Sequence, residues 1–272
     1  MVEAEIDVMK RSVILMLLLL ASSFLYAQEY SWKSVRMDGS RTGTALGTMT
    51  GGRYVTTDGK VFPKNSCVSS VARIVIDAQP EMARVKEVIA YSPEAMEIVY
   101  PEGPLSNWFI GILMQKVSEL SGRHVDIGIS NFGGIRVDMP KGDVILDDML
   151  SMFPFKNQLV YVELKGSVVR SILDAMAADR FQVLGGVRVV AEDGKIVSVT
   201  IGDEPLDDDK VYGVATISFL LHGGDNLSLA EGADTVVKYD VDIIDAVLEH
   251  VRAETASGRQ IVSKADGRVV IR

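Results

Sequence analysis

Cysteine, histidine and positive charge are all scarce in this sequence. The single cysteine, Cys67, leaves no partner for an internal disulfide, so an apolar core has to hold the fold. Its surroundings, KNSCVSS, supply no base, and a small buried hydrophobe is the expected role. The three histidines, His124, His222 and His250, are scattered, with no pair at ligand spacing and no Asp-x-His. That excludes a complete metal centre of the kind phosphate-ester hydrolases use. His124, just before a strand, and His250, in the last helix, read as surface or cap residues. There is no G-x-x-x-x-G-K-[ST] and no G-x-S-x-G, and GTMTGG at 47–52 opens no helix. No nucleophile and base stand together, which disfavours an autonomous metal-independent enzyme. Lys and Arg number 28 against 37 Asp and Glu, a net charge of -9, which argues against a nucleic-acid partner. A small anionic ligand stays possible, because one local arginine can outweigh diffuse distant charge.

What is present is ordinary globular composition: 272 residues, 47% apolar and 24% charged, enough for one large domain or two small ones. A long apolar run occurs near the start. MKRSVILMLLLLASSFLYAQ, from Met9 to Gln28, has a basic start at Lys10 and Arg11 and an eight-residue apolar stretch from Val13 to Leu20. It ends in small residues, which predicts a signal peptide over 1–27, cleaved near Ala27, with translation starting at Met9. An exported, periplasmic or secreted protein without a stable membrane anchor is expected. Residues 28–84 form a polar extension of strands and loops, with VARIVI (71–76) as a strand leading into a short helix.

From residue 85 the patterns sharpen. Pro104 and Gly122 bracket a helix whose stripe is Leu105, Phe109, Leu113, Val117 and Leu120. Val125, Ile127 and Ile129 alternate in a strand ending at Asn131. A short helix over 143–153, a strand over 157–166 and a helix capped by Ser167 follow. A hairpin turns at Asp193-Gly194, a strand runs through KVYGVATISFLL, and a last helix (VDIIDAVLEHVRAE) precedes a terminal strand, GRVVIR. Strands and helices alternate around a hairpin, so the expected fold class is α/β (α+β), mixed sheets covered by helices.

Two glycine pairs follow the ends of apolar strands, in SNFGGIR (130–136) and FLLHGGDN (219–226). Loops at strand carboxyl ends are where α/β sheets collect ligands. Arg136 offers a guanidinium for a phosphate or carboxylate. Phe155 and Phe219 border polar loops, with Asn157 and Asp225 close by. Two rings beside an amide and a carboxylate suit a nucleoside, with faces for the base and acceptors for ribose hydroxyls. A structural or adhesion domain with inert loops would instead bury both rings against the core.

Residues from about 85 to 250 resemble the C-terminal, substrate-binding domain of the 5′-nucleotidase / UDP-sugar hydrolase family. The resemblance rests on YPEGPLSNWFIGIL, NFGGIR, KGDVILDDMLSMFPFKNQLVYVELKG, VLGGVRV and SFLLHGGDN, in family order. It implies that Phe155 and Phe219 sandwich a base, Asn157 and Gly186 line its edge, and Asp225 takes ribose hydroxyls. Asn131 and Arg136 would face the ribose and phosphate side. In this family a metallophosphatase domain holding two metals comes first, and residues 28–85 are too few to supply it. The resemblance therefore implies no cofactor or metal in this chain, with divalent metals on a partner catalytic domain. The ligand would be a nucleotide or nucleoside. One reading adds a separately encoded metallophosphatase chain, for which Trp32, Tyr54 and Phe62 are candidate contacts. The other is a stand-alone nucleoside- or nucleotide-binding protein without hydrolysis. One departure is the missing arginine upstream of the Asn107 helix, in EIVYPEGPLSN, where the family often has one.

Overall fold

The computed structural model describes residues 46–272; the expected signal peptide and Trp32 lie outside the described residues. The first elements are three short strands, β1 (Thr48–Thr50), β2 (Arg53–Val55) and β3 (Val61–Phe62), paired antiparallel in that order. Gly51 and Gly52, at φ 55 and 79, turn β1 into β2. Tyr54 and Phe62 stack across β2 and β3, 6.1 Å between ring centres.

Residues 71–76, expected as a strand, lie instead inside helix α1 (Cys67–Asp77). Val68, Val71, Ile74 and Val75 crowd like strand residues, but their spacing also fits one helical face. Ser66 settles the choice, because its Oγ accepts the Ser69 N–H at 3.1 Å and caps the helix. That apolar face is open, with Val71 59% and Ile74 70% exposed. Cys67 is exposed as well, not buried as expected.

After α2 (Gln79–Ala83), strand β4 (Val88–Ser92) pairs with β6 (Gly142–Ile145). Between them lie helix α3 (Pro104–Ser121) and strand β5 (Ile127–Ser130). The short helix expected over 143–153 is shortened to α4 (Leu146–Met152), because residues 142–145 pair as β6. The switch is made by Asp148, whose Oδ2 accepts the Ile145 N–H at 2.8 Å. Next come β7 (Gln158–Lys165) and α5 (Gly166–Ala178). Ser167 sits within α5 and does not cap it; Lys165 holds the cap position. Strands β8 (Val183–Gly185), β9 (Val187–Glu192), β10 (Lys195–Ile201), β11 (Glu204–Pro205) and β12 (Val211–Ile217) follow. The β9–β10 hairpin turns at Asp193-Gly194, both at positive φ, as expected. The chain closes with β13 (Ala233–Asp242), α6 (Ile243–Ala256) and β14 (Val269–Ile271). Strand β13 has no counterpart in the sequence reading; its alternate residues Val237, Tyr239 and Val241 pack on the core from the sheet edge.

The central sheet has the order β13-β7-β12-β5-β8, with β12 and β5 parallel and the other pairs antiparallel. A second sheet runs β11-β10-β9-β14. This is the expected α/β fold of mixed sheets covered by helices. Helix α3 is its axle, packing on β8, β5 and β12 on one side and on α6 on another. Leu105, Phe109, Leu113 and Val117 are buried as the stripe predicts, and Ile110 and Ile112 are buried too. The helix lies close to the sheet because Gly128 and Gly185 face each other across β5 and β8. A Cβ on Gly128 would come within 2.7 Å of Ile110 Cγ1 and Met114 Cγ, and one on Gly185 within 2.7 Å of Met114 Sδ. Among the described residues no helix is long and apolar enough to cross a membrane.

Two outcomes follow for stability. Gly128→Ala should destabilise the domain by about 1–3 kcal/mol in urea unfolding, as for other overpacked cores. A loss under a few tenths of that would mean α3 can retreat freely. On the same face of the sheet, Glu163 accepts from Thr235 Oγ1 (2.5 Å), Arg123 (2.8 Å) and Tyr161 (3.2 Å). The Thr235 hydrogen bond first, and then the Arg123 charge, hold its carboxyl below the usual glutamate value. A lowered folded-state pKa contributes stability above the unfolded value, about 4.3, and loses it as pH falls through the folded one. The stability gap between the native chain and Glu163→Gln should therefore be constant near neutrality and close under acid; a gap that widens on acidification contradicts this.

Candidate functional site

Strand register brings four loops to one edge of the central sheet. Strands β12 and β5 run parallel, so Asn131, after β5, and Phe219, after β12, leave the sheet at the same edge. Strand β7 enters there, since Leu159 pairs with Ile217. Its approach carries Phe155 and Asn157, and Ser218 Oγ accepts the Gln158 N–H at 3.1 Å, tying the two segments together. Strand β8 also starts there, with Val183 opposite Ser130.

The two glycine loops touch. Asn131 Nδ2 donates to Asp225 Oδ2 at 2.7 Å. Asn131 is 5% exposed, and its Oδ1 has no hydrogen-bond partner. Gly134 leaves the space for this side chain, as a Cβ there would lie 2.7 Å from Asn131 Oδ1. In the second loop the chain reverses at Asp225-Asn226, at φ 46 and 60, closed by Gly223 N–H to Leu227 O (2.8 Å) and Leu227 N–H to Gly224 O (2.9 Å). Positive φ at two residues is what a tight type I′ reversal needs, and Asp and Asn tolerate it best among side chains. A Cβ on Gly224 would meet Phe219 O at 2.2 Å and the Phe219 ring at 2.8 Å. Gly134 and Gly224 each let a polar loop close on a side chain of the edge, whereas Gly223 has open space around it and serves the turn through its positive φ of 93.

The rings stand out. Phe155 is 48% and Phe219 45% exposed, beside a core in which Phe109, Phe153 and Phe181 are almost fully covered. Arg136 is anchored by its N–H to Met152 O (3.0 Å). Its guanidinium lies 5.9 Å from the centre of Phe155 and donates to Gly133 O at 3.3 Å. Asn157 is half-buried at the start of this edge, and its carbonyl accepts the Ile243 N–H at 3.0 Å. Asn131, Arg136, Phe155, Asn157, Phe219 and Asp225 are thus gathered at one edge. Gly186 is not. Because Gly185 pairs with Gly128 in an antiparallel strand, Gly186 lies at the opposite edge, its α-carbon packed on Asp126 O, which a Cβ would meet at 2.0 Å. The residue is held there by strand register and helps to close the turn into β9, so it is withdrawn from the site.

Sequence reasoning missed the neighbours on the β8 side. Gln182 Oε1 accepts the Phe132 N–H at 3.2 Å, and Asp179 Oδ2 accepts from Asn226 Nδ2 at 3.4 Å. Segment 179–182 therefore touches both glycine loops. Nothing in ADRFQ signals this locally; only the β5–β8 register does.

Chemically, this edge offers two half-open aromatic faces, a cation, and the acceptors of Asp225 and Asn131. Among the described residues no group of three or more His, Cys, Asp or Glu could hold a metal ion.

The chain is similar to known proteins. The chain is 36% identical over 105 residues to silent protein UshA(0) of Salmonella typhimurium, covering 37% of this chain and 19% of that protein. It is 30% identical over 190 residues to the NAD 5′-nucleotidase of Haemophilus influenzae, covering 59% and 31%. The chain thus spans less than a third of the length of either relative. Among solved structures, a 5′-nucleotidase precursor from Thermus thermophilus shares the fold at a TM-score of 0.64 and 23% identity, covering 75% of this chain and 43% of that one. The sequence model described as the 5′-nucleotidase, C-terminal domain matches residues 88–232, from β4 to the approach of β13, and so takes in every residue gathered at this edge. The chain belongs to the 5′-nucleotidase C-terminal domain family.

Proposed function

We propose that this chain is an exported nucleotide-recognition domain that grips base and ribose for a 5′-nucleotidase-type phosphohydrolase. The observation that carries the reading is the half-exposure of Phe155 and Phe219 at the edge where the polar loops meet. An inert domain would bury both rings. Stacking on such rings contributes roughly 1–3 kcal/mol per base. Asp225 and the unpartnered Oδ1 of buried Asn131 supply acceptors for ribose hydroxyls. The names of the relatives, which include an NAD 5′-nucleotidase, agree with a nucleotide ligand.

The metals this chemistry uses do not fit the described residues, whose His, Cys, Asp and Glu form no ligand cluster. We therefore assign hydrolysis to a separate metallophosphatase chain, with this one positioning the substrate. The open apolar face of α1, with Val71 and Ile74, is the surface we assign to that partner. Of the aromatic residues proposed for this contact, Tyr54 and Phe62 are half-buried against each other and offer less. Export rests on the leader-like sequence at 9–28. A stand-alone binding protein has the same sheet edge, and copurification with a phosphohydrolase separates the two readings.

Calorimetric titration with adenosine tests recognition directly. Phe219→Ala and Phe155→Ala should each weaken binding by about tenfold or more, in keeping with a lost stacking face. Both rings are half-exposed, so the melting temperature should hardly move. Unchanged affinity in both variants would refute the sandwich.

A further inference from the structure

A second arginine stands at the site edge, and neither the sequence reading nor the family resemblance points to it. Arg180, between α5 and β8, lays its guanidinium 4.8 Å from the centre of the Tyr100 ring. Tyr100 meets Phe132, the first residue after Asn131, edge to face at 5.9 Å. Its hydroxyl accepts the Phe181 N–H at 3.3 Å, fixing Tyr100 to the segment that carries Arg180. The Gln182 and Asp179 hydrogen bonds then hold that segment against both glycine loops.

Both arginines connect to Phe132-Gly133-Gly134. Arg136 lies on Phe155 and touches Gly133 O; Arg180 lies on Tyr100, which touches Phe132. Neither guanidinium has a carboxylate within ion-pairing distance among the described residues, a state that most of the described arginines share. In a chain of net charge -9, two unpaired arginines connected to one loop give that loop local positive potential. The Tyr100 ring orients the Arg180 guanidinium and leaves its edge N–H donors for a planar anion contact, while Arg136 keeps donors beyond the one it gives to Gly133 O. Tyr100 also lies just upstream of α3, in the stretch that lacks the family's arginine.

We propose that Arg180 is an anion-binding residue of this site, acting with Arg136 on the phosphate of the ligand. This rests on the nucleotide-recognition reading and narrows it: the ligand is a phosphorylated nucleoside, preferred over the free nucleoside.

The test is a pair of titrations, AMP and adenosine, on the full chain and on Arg180→Gln. The native chain should bind AMP at least tenfold more tightly than adenosine. Arg180→Gln should lose about tenfold for AMP, the loss expected of one charge-assisted contact, and keep its adenosine affinity. Adenosine binding also serves as the control for a folded pocket. If AMP binds no tighter than adenosine to the native chain, or if Arg180→Gln weakens both ligands equally or neither, the assignment of Arg180 is wrong while nucleoside recognition stands. If the native chain binds neither ligand, the recognition reading fails and takes this inference with it.

Discussion

A helix can approach a sheet only as closely as the side chains between them allow. Here the limiting side chains are missing, because Gly128 and Gly185 face each other across β5 and β8 directly beneath Ile110 and Met114. Helix α3 therefore sits on the backbone of the sheet, and α6 closes over it. The remaining geometry follows from that seat. It holds β5 and β8 together under the helix, fixes Ser130 opposite Val183, and so decides that Asn131 and segment 179–182 emerge side by side. Shifting β8 by one residue would turn its side chains over and separate these loops.

The site edge follows a consistent division of labour between rigid and polar parts. Backbone pairing in β5, β7 and β12 supplies position, and the loops supply chemistry. Within the loops, short contacts replace a hydrophobic core: Asn131 to Asp225, Phe132 to Gln182, Gln158 to Ser218. Asn131 is the hinge of this set. It is buried, it spans from one glycine loop to the other, and one of its two polar atoms is left without a protein partner. A buried acceptor without a protein partner costs free energy, and the packing of the two loops around Asn131 has to offset it.

Much of this was legible in the sequence because the physics was local. Pro104 and Gly122 mark the ends of α3, Asp193-Gly194 marks the β9–β10 hairpin, and the glycine pairs mark loops that close on Asn131 and Phe219. What escaped depended on information outside the local window. The run from Val71 to Ile76 is apolar enough for a strand, and only the Ser66 cap tips it to a helix. Residues 143–145 became a strand because β4 was available to pair with them. Strand β13 sits at the sheet edge with a polar outer face, and its pairing with β7 stabilises it more than its own composition. Segment 179–182 and Gly186 lie at opposite edges for one reason: an antiparallel β8 brings the residues before it to the end of β5 and sends those after it away. Motif order along a chain carries no such direction.

The parallel pairing of Ile127 with Val214 has a thermodynamic consequence. The first glycine loop is complete by residue 136, yet its edge of the sheet exists only once β12 has added its strand between β5 and β7. The loops of the site are thus held in place by strands that only the whole central sheet brings together. A molecule that binds the folded site alone acts by mass action on the entire domain, raising the free energy of unfolding by RT ln(1 + [L]/Kd). Occupancy and global folding are, for this chain, linked equilibria.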